Sequence, residues 1–244
     1  MPWSATADVE KFDEAVAWFK SRFPVTQEIA DALAAYSGDR AWTIAGVSQL
    51  DIVLQTYDEL LKAIENGTPL EEFQDAVEES LTEAWGKTDS PRIELIFRNA
   101  TQQSLNAGRW RQMTDPDVKD LRPYVKFDGI ADARQSTICE ELDGTIVHVD
   151  DAWLKTHSPA LHHRCRSQLV SLSASDAERQ GITDDPPATK ADKGFGKPPT
   201  EAEWKPKASD YPDDLFAEYE QKRADLEENA ERKKVAPDDD DAGE

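Results

Sequence analysis

The sequence predicts an α+β protein: an N-terminal helical bundle, then a small strand-containing module and an extended acidic C-terminal arm. Three observations carry this. Apolar residues recur at helical spacing through most of residues 1–112, and short β-type runs bounded by glycine fall within 113–172. Residues 173–244 hold seven of the fourteen prolines and close on "PDDDDAGE". The expected organisation is a helical domain over 1–112, a small α/β or β module with a Cys/His motif over 113–172, and a Pro/Asp-rich, partly disordered arm over 173–244.

Five helices are expected in the first region. In "DVEKFDEAVAWFKSRF", Phe12, Val16, Phe19 and Phe23 fall on one helix face, and Pro24 ends the run because proline disfavours the α conformation before it. "TQEIADALAAYSG" follows, with Thr26 as cap, a stripe of Ile29, Leu33 and Tyr36, and Gly38 as stop. "SQLDIVLQTYDELLKAIENG" has Ser48 as candidate cap, a wide apolar face of Ile52, Val53, Tyr57, Leu60, Leu61 and Ile64, and Gly67 at its C-terminus. "TPLEEFQDAVEESLTEAWG" repeats the recipe: Thr68 as cap, Pro69 in the first turn, Glu71 three residues after the cap. "SPRIELIFRNATQQSLNAGRWRQ" opens on Ser-Pro and ends in a basic pair, Arg109 and Arg111.

In the middle region "PYVKFDG" and "GTIVHV" read as short strands, and "SQLVSL" alternates as a half-buried strand does. In the arm, one further helix is expected over 212–234, on Leu215, Phe216, Tyr219 and Leu226.

Composition narrows the function. With 28 Lys+Arg against 50 Asp+Glu the formal net charge is −22, which argues against wholesale nonspecific nucleic-acid binding, since each phosphate contact needs a local cation. No apolar run approaches the ~18 residues of a membrane span. "MPWSATADVEKF" has neither a basic n-region nor an apolar h-region, so no signal peptide is expected, and two cysteines suit a reducing cytoplasmic compartment. No P-loop, GxGxxG, GxSxG, HExxH or CxxC is present in the sequence.

The chemistry concentrates in "PALHHRCRS", residues 159–167. His162 and Cys165 stand three apart, and Cys139 is the other cysteine. Four readings are open. The group is part of a metal site, since zinc favours Cys/His ligation. It is a Cys/His nucleophilic pair, with Arg164 and Arg166 lowering the thiol pKa. It is a nucleic-acid or partner contact, through Arg164 and Arg166 with Arg109 and Arg111. Or it is a metal-free staple whose arginines pair with acidic neighbours.

Three segments, taken in order, resemble one family, the minor head or head morphogenesis proteins of tailed bacteriophages typified by the phage Mu F protein. They are "RAWTIAGVSQLDIVLQTYDELLKAIENGTPLEEFQDAVEESLTEAWG" (40–86), "RIELIFRNATQQSLNAGRWRQ" (92–112) and "DARQSTICEELDGTIVHVDDAWLKTHSPALHHRCRSQLVSL" (132–172). The resemblance covers about residues 15–172 and is carried by the combination, with "AGR", "DDAW" and "HHRC" as its anchors. Its pattern ends His-x-x-Cys-Arg-Cys, and this chain has Ser167 at the last position. The resemblance therefore implies a ligand set of Cys139, His162 and Cys165 for a structural zinc. A fourth ligand would come from His148, His157, His163, Asp132 or water.

For function, the resemblance implies a structural, non-enzymatic minor capsid protein. It would be present in few copies, associated with the portal and head interior, and active in head assembly and genome delivery. The portal protein and major capsid protein are the implied partners, with packaged DNA as a further one. The implied location is the virion, after assembly in the host bacterial cytoplasm. The alternatives are a module joined to a toxin or effector enzyme, and an acidic scaffold or DNA mimic acting through the arm.

Overall fold

A computed structural model describes residues 12–26 and 41–199, together with positions 217, 221 and 224. The helix expected after Thr26 lies outside the described residues. So does the one expected over 212–234, apart from those three positions, each of which is helical.

Four helices build the first layer: α1 (Asp13–Lys20), α2 (Leu50–Asn66), α3 (Leu70–Trp85) and α4 (Ser90–Thr114). Their apolar faces, with Ile44 and Val47 from the segment before α2, meet in one core of Phe19, Val53, Tyr57, Leu60, Phe73, Val77, Leu81 and Ile93, all nearly inaccessible to solvent. Burying each large apolar side chain contributes about 1.5–3 kcal/mol, so this face holds the bundle together. The Tyr57 ring stacks on Phe19 at 4.7 Å. Its hydroxyl donates to the carbonyls of Phe19 (2.9 Å) and Arg22 (3.1 Å), which closes the C-terminal end of α1. Burial pushes the Tyr57 phenol above the ordinary tyrosine value.

α1 ends at Lys20, earlier than the periodicity suggests. Phe23–Pro24 (β1) leaves as an extended pair, hydrogen-bonded in parallel to Ala41–Trp42 (β2). α2 and α3 stop where the sequence places their glycines, Gly67 at φ 71° and Gly86 at φ 68°. The expected caps differ. α2 starts at Leu50 with Gln49 before it, and the Ser48 hydroxyl bonds the Gln49 side chain at 3.4 Å. α3 starts at Leu70 with the extended Pro69 as its N-cap residue, which leaves Thr68 one residue too far out to reach the helix amides. Acidic residues in the first turns, Asp51, Glu71 and Glu72, favour both N-termini through the helix dipole.

α4 spans 25 residues, about 38 Å at the α-helical rise, and links two cores. Its N-terminal half supplies Ile93 and Ala100 to the bundle. Its C-terminal half supplies Met113 and Trp110 to the second core. At Gly108 the helix meets α1 backbone to side chain: a Cβ there would sit 2.8 Å from the Ala15 nitrogen and 2.7 Å from the Phe12 ring.

The second layer follows α5 (Pro116–Leu121), which Asp115 caps. It is a three-stranded antiparallel sheet, order β4-β3-β5, with β3 (Tyr124–Asp128) central, β4 (Ile146–His148) and β5 (Gln168–Leu172). Val125 opposes Val147 on one side and Ser171 on the other, and Phe127 opposes Leu169. All three strands lie where the sequence predicts them. Three short helices complete the module: α6 (Thr137–Leu142), α7 (Leu154–His157) and α8 (Ala174–Gln180). The core is Val125, Phe127, Leu142, Val147, Leu154 and Leu161 with both cysteines.

The proline-rich stretch after α8 is extended and tied down as far as Gly196. Thr183 exchanges bonds with Ile146 of β4, using its amide (2.9 Å) and its hydroxyl (3.1 Å). The Trp153 indole donates to the Pro187 carbonyl at 2.7 Å. Asp192 and Gly196 donate to Leu161 and Ala160, both at 2.9 Å. This strap runs into the loop that carries the histidines.

Candidate functional site: the Cys/His loop on helix α4

The loop is shaped locally before it is held globally. The Cys165 amide bonds back to the His162 carbonyl at 3.3 Å. Arg164 lies at φ 59°, the left-handed region that a non-glycine residue enters at a cost of about 1–2 kcal/mol. The turn directs His162 and Cys165 to the same side. Facing them, Ser136 caps α6 by accepting from the Cys139 amide at 3.2 Å, which sets Cys139 in the helix's first turn.

Three ligand-type atoms therefore converge. The Cys139 sulfur lies 3.2 Å from His162 Nε2 and 3.8 Å from the Cys165 sulfur, and all three atoms fall within 4.8 Å of one another. Cys139 and Cys165 are 4% and 3% exposed, so the group opens to solvent only past His162. The imidazole's tautomer follows from its partners. Nδ1 is 2.7 Å from the His163 carbonyl, which can only accept, so Nδ1 carries the proton. Nε2 then accepts from the Ser136 hydroxyl at 2.8 Å and stands 3.2 Å from the Cys139 sulfur.

The two thiols are unlike. The hydrogen-bond contact with Cys165 is the largest influence on Cys139 and holds its thiol below the usual range. Cys165 is pushed up, by the sulfur it faces and by burial.

An outer ring fixes the loop. Arg166 makes a two-pronged ion pair with Asp132 (2.6 and 2.7 Å), and Arg166 holds that carboxyl well below the usual carboxylate range. From α4, Asn99 bonds the His163 ring at 2.8 Å and accepts from the Arg164 amide at 2.9 Å. Gln102 and Asn106 both donate to the Ser167 carbonyl, at 3.1 and 3.2 Å. The Arg164 guanidinium donates to the Pro91 carbonyl at the start of α4, at 3.1 Å.

The structure thus brings Cys139, His162 and Cys165 together and places the arginines differently. Arg164 and Arg166 are engaged within the chain. Arg109 is half-buried on α4 beside Asn106, Trp110, Ser158, Pro159, Leu169 and Pro199, and Arg111 lies in the last turn of α4. None of the expected fourth ligands joins the group among the described residues. His163 is held by Asn99, and Asp132 by Arg166. His157 stacks on Trp153 at 4.5 Å, and His148 lies edge-on to Tyr124 on the edge strand β4. Asn99, Gln102, Asn106 and Ser136 are structural partners that the motif reading did not single out. Their signal is an amide stripe at spacings of three and four along α4, and a serine three residues before a cysteine.

A helical hairpin feeds one long helix, and that helix grips the Cys/His loop over a small antiparallel sheet. Residues 55–170 match the family described as Phage Mu protein F like protein. The match runs from within α2 to β5 and includes the whole loop. The chain is also 28% identical over 191 residues to "Putative capsid assembly protein F" of Escherichia phage Mu, an alignment taking in 69% of this chain and 42% of that protein. The chain thus spans less than half of that relative's length. No solved structure matches the chain.

Proposed function

We propose that the protein is a structural component of a phage head, acting in capsid assembly as a low-copy minor capsid protein at the portal vertex and head interior, with a part in genome delivery. The observation that carries this is the match of residues 55–170 to the Mu F-like family, together with a relative named as a capsid assembly protein. In this reading the helical domain, residues 1–112, supplies the docking faces for portal and major capsid proteins. The 113–172 module braces those faces through α4, and the 173–244 arm reaches further partners. Protein partners are favoured over packaged DNA. Arg164 and Arg166 already serve the Pro91 carbonyl and Asp132, and a net charge of −22 repels phosphate.

Co-expression of the protein with affinity-tagged portal protein of the same phage tests the partner assignment. The proposal expects a complex that survives moderate salt and size-exclusion chromatography. Separate elution of the two proteins, with the tagged portal assembled, would count against portal association.

A further inference from the structure

We propose that Cys139, His162 and Cys165 bind one zinc ion, with the fourth coordination position facing Ser167. The inference concerns this chain's own residues and does not depend on the head-assembly reading.

The distances suit the ion. Two thiolates at about 2.3 Å from a tetrahedral zinc stand about 3.8 Å apart, and the two sulfurs here are 3.8 Å apart. A disulfide would require about 2.0 Å. The Cys139 sulfur and His162 Nε2, at 3.2 Å, span a second edge of the same tetrahedron. The third pair lies within 4.8 Å, so a rotation of the half-buried imidazole closes the set.

The imidazole is already in the ligating form. His162 Nδ1–H donates to the His163 carbonyl, the outer-shell arrangement that orients a metal-bound histidine and leaves Nε2 as the ligating atom. Charge agrees. Two thiolates, a neutral imidazole and a zinc dication sum to zero, a condition a buried site accepts more readily than an uncompensated thiolate. Soft sulfur donors and tetrahedral Cys/His ligation favour zinc over the harder magnesium and calcium ions.

Ser167 defines the open side. It follows Cys165 by two residues, it is 2% exposed, and its carbonyl is clamped by Gln102 and Asn106. Water or the serine hydroxyl completes the tetrahedron there. A thiolate at the same position would complete it better, so Ser167→Cys is the informative variant: it adds a ligand where loss of Cys139 or Cys165 would risk the fold.

The experiment uses the full chain purified without chelator under reducing conditions. Metal content is measured by mass spectrometry, and cobalt(II) is then titrated into the apo protein. We expect about one zinc per chain, sulfur-to-cobalt charge-transfer bands in the near ultraviolet, and intense visible bands of tetrahedral cobalt. Ser167→Cys should strengthen the charge-transfer absorption and raise zinc affinity about tenfold or more. Substoichiometric zinc together with a cobalt spectrum of hydrated octahedral ion, in both proteins, would overturn the assignment. So would a Cys139–Cys165 disulfide in protein isolated without reductant that reforms after reduction in the presence of equimolar zinc.

Discussion

The side-chain amide of Asn106, on α4, donates to the carbonyl of Ser167 at 3.2 Å, joining residues 61 positions apart in the chain at a site where both are buried. Gln102, one turn earlier, donates to the same oxygen at 3.1 Å. This forked bond fixes the end of the Cys/His loop to the helix that serves both cores, so the packing of the loop and the packing of the bundle are coupled.

Asn106→Leu should cost about 1–3 kcal/mol, the range for removing a buried hydrogen-bond partner, with Gln102 keeping the carbonyl partly satisfied. Asn106→Asp should cost more. A carboxylate cannot donate, and it would set a buried negative charge against the Ser167 oxygen. The Asn106 amide oxygen has no hydrogen-bond partner in the described residues to offset this. Urea unfolding of the two variants checks the order. Equal stability of Leu and Asp at neutral pH would remove the clamp from the account.

Gly108→Ala should destabilise although alanine is the better helix former. The Cβ would stand 2.8 Å from the Ala15 backbone nitrogen and 2.7 Å from the Phe12 ring. Pushing α1 off α4 should cost about 1–3 kcal/mol, the scale of core overpacking, against a helix-propensity gain of about 1 kcal/mol. Thermal unfolding measures the balance, and a rise in midpoint would show that α1 does not cross α4 at this point.

Tyr57 predicts an alkaline limit. Burial raises its phenol pKa in the fold, so between the unfolded value, about 10, and the folded one, the folded state holds a proton that the unfolded state has lost. Stability from this group is complete below about pH 10 and falls as pH rises through that window. Tyr57→Phe should lower stability at neutral pH by about 1–2 kcal/mol, through the lost bonds to Phe19 and Arg22. It should also flatten the decline above pH 10. Denaturant midpoints from pH 8 to 11 for both proteins separate the two effects.

The long helices were legible because their apolar stripes are local. Tyr57, Leu60 and Phe73 announce their faces from a single stretch of sequence. Strands β3, β4 and β5 were legible from alternation and bounding glycines. The site was legible in part. Cys139, His162 and Cys165 stand out as residue types, but what holds them does not. α6 is six residues long, too short for a periodic signal, and its placement depends on the Ser136 cap. Asn99, Gln102 and Asn106 look like an ordinary polar face of α4. Their partners lie more than sixty residues on, and no local pattern encodes such a pairing. The arginines' partners are hidden for the same reason: pairing with acidic neighbours was one open reading, but Asp132 and the Pro91 carbonyl, which Arg166 and Arg164 engage, lie far off in the sequence.

On the zinc proposal, removal of the metal should loosen the loop before the bundle. With zinc extracted by a strong chelator under reducing conditions, amide exchange should rise first in residues 136–142 and 159–167, and then at the clamp on α4. The core around Leu60, Phe73 and Leu81 should stay protected. Hydrogen exchange with and without chelator reads this directly. A uniform rise across bundle and loop would mean that the two unfold as one unit.

The most direct test of the head-assembly account is quantitative mass spectrometry of particles purified at successive stages, from empty proheads to mature virions of the phage that encodes this chain. The account predicts the protein in proheads and in virions, at a copy number far below that of the major capsid protein and close to that of the portal. Its absence from particles at every stage, with the protein abundant in the infected lysate, would contradict it.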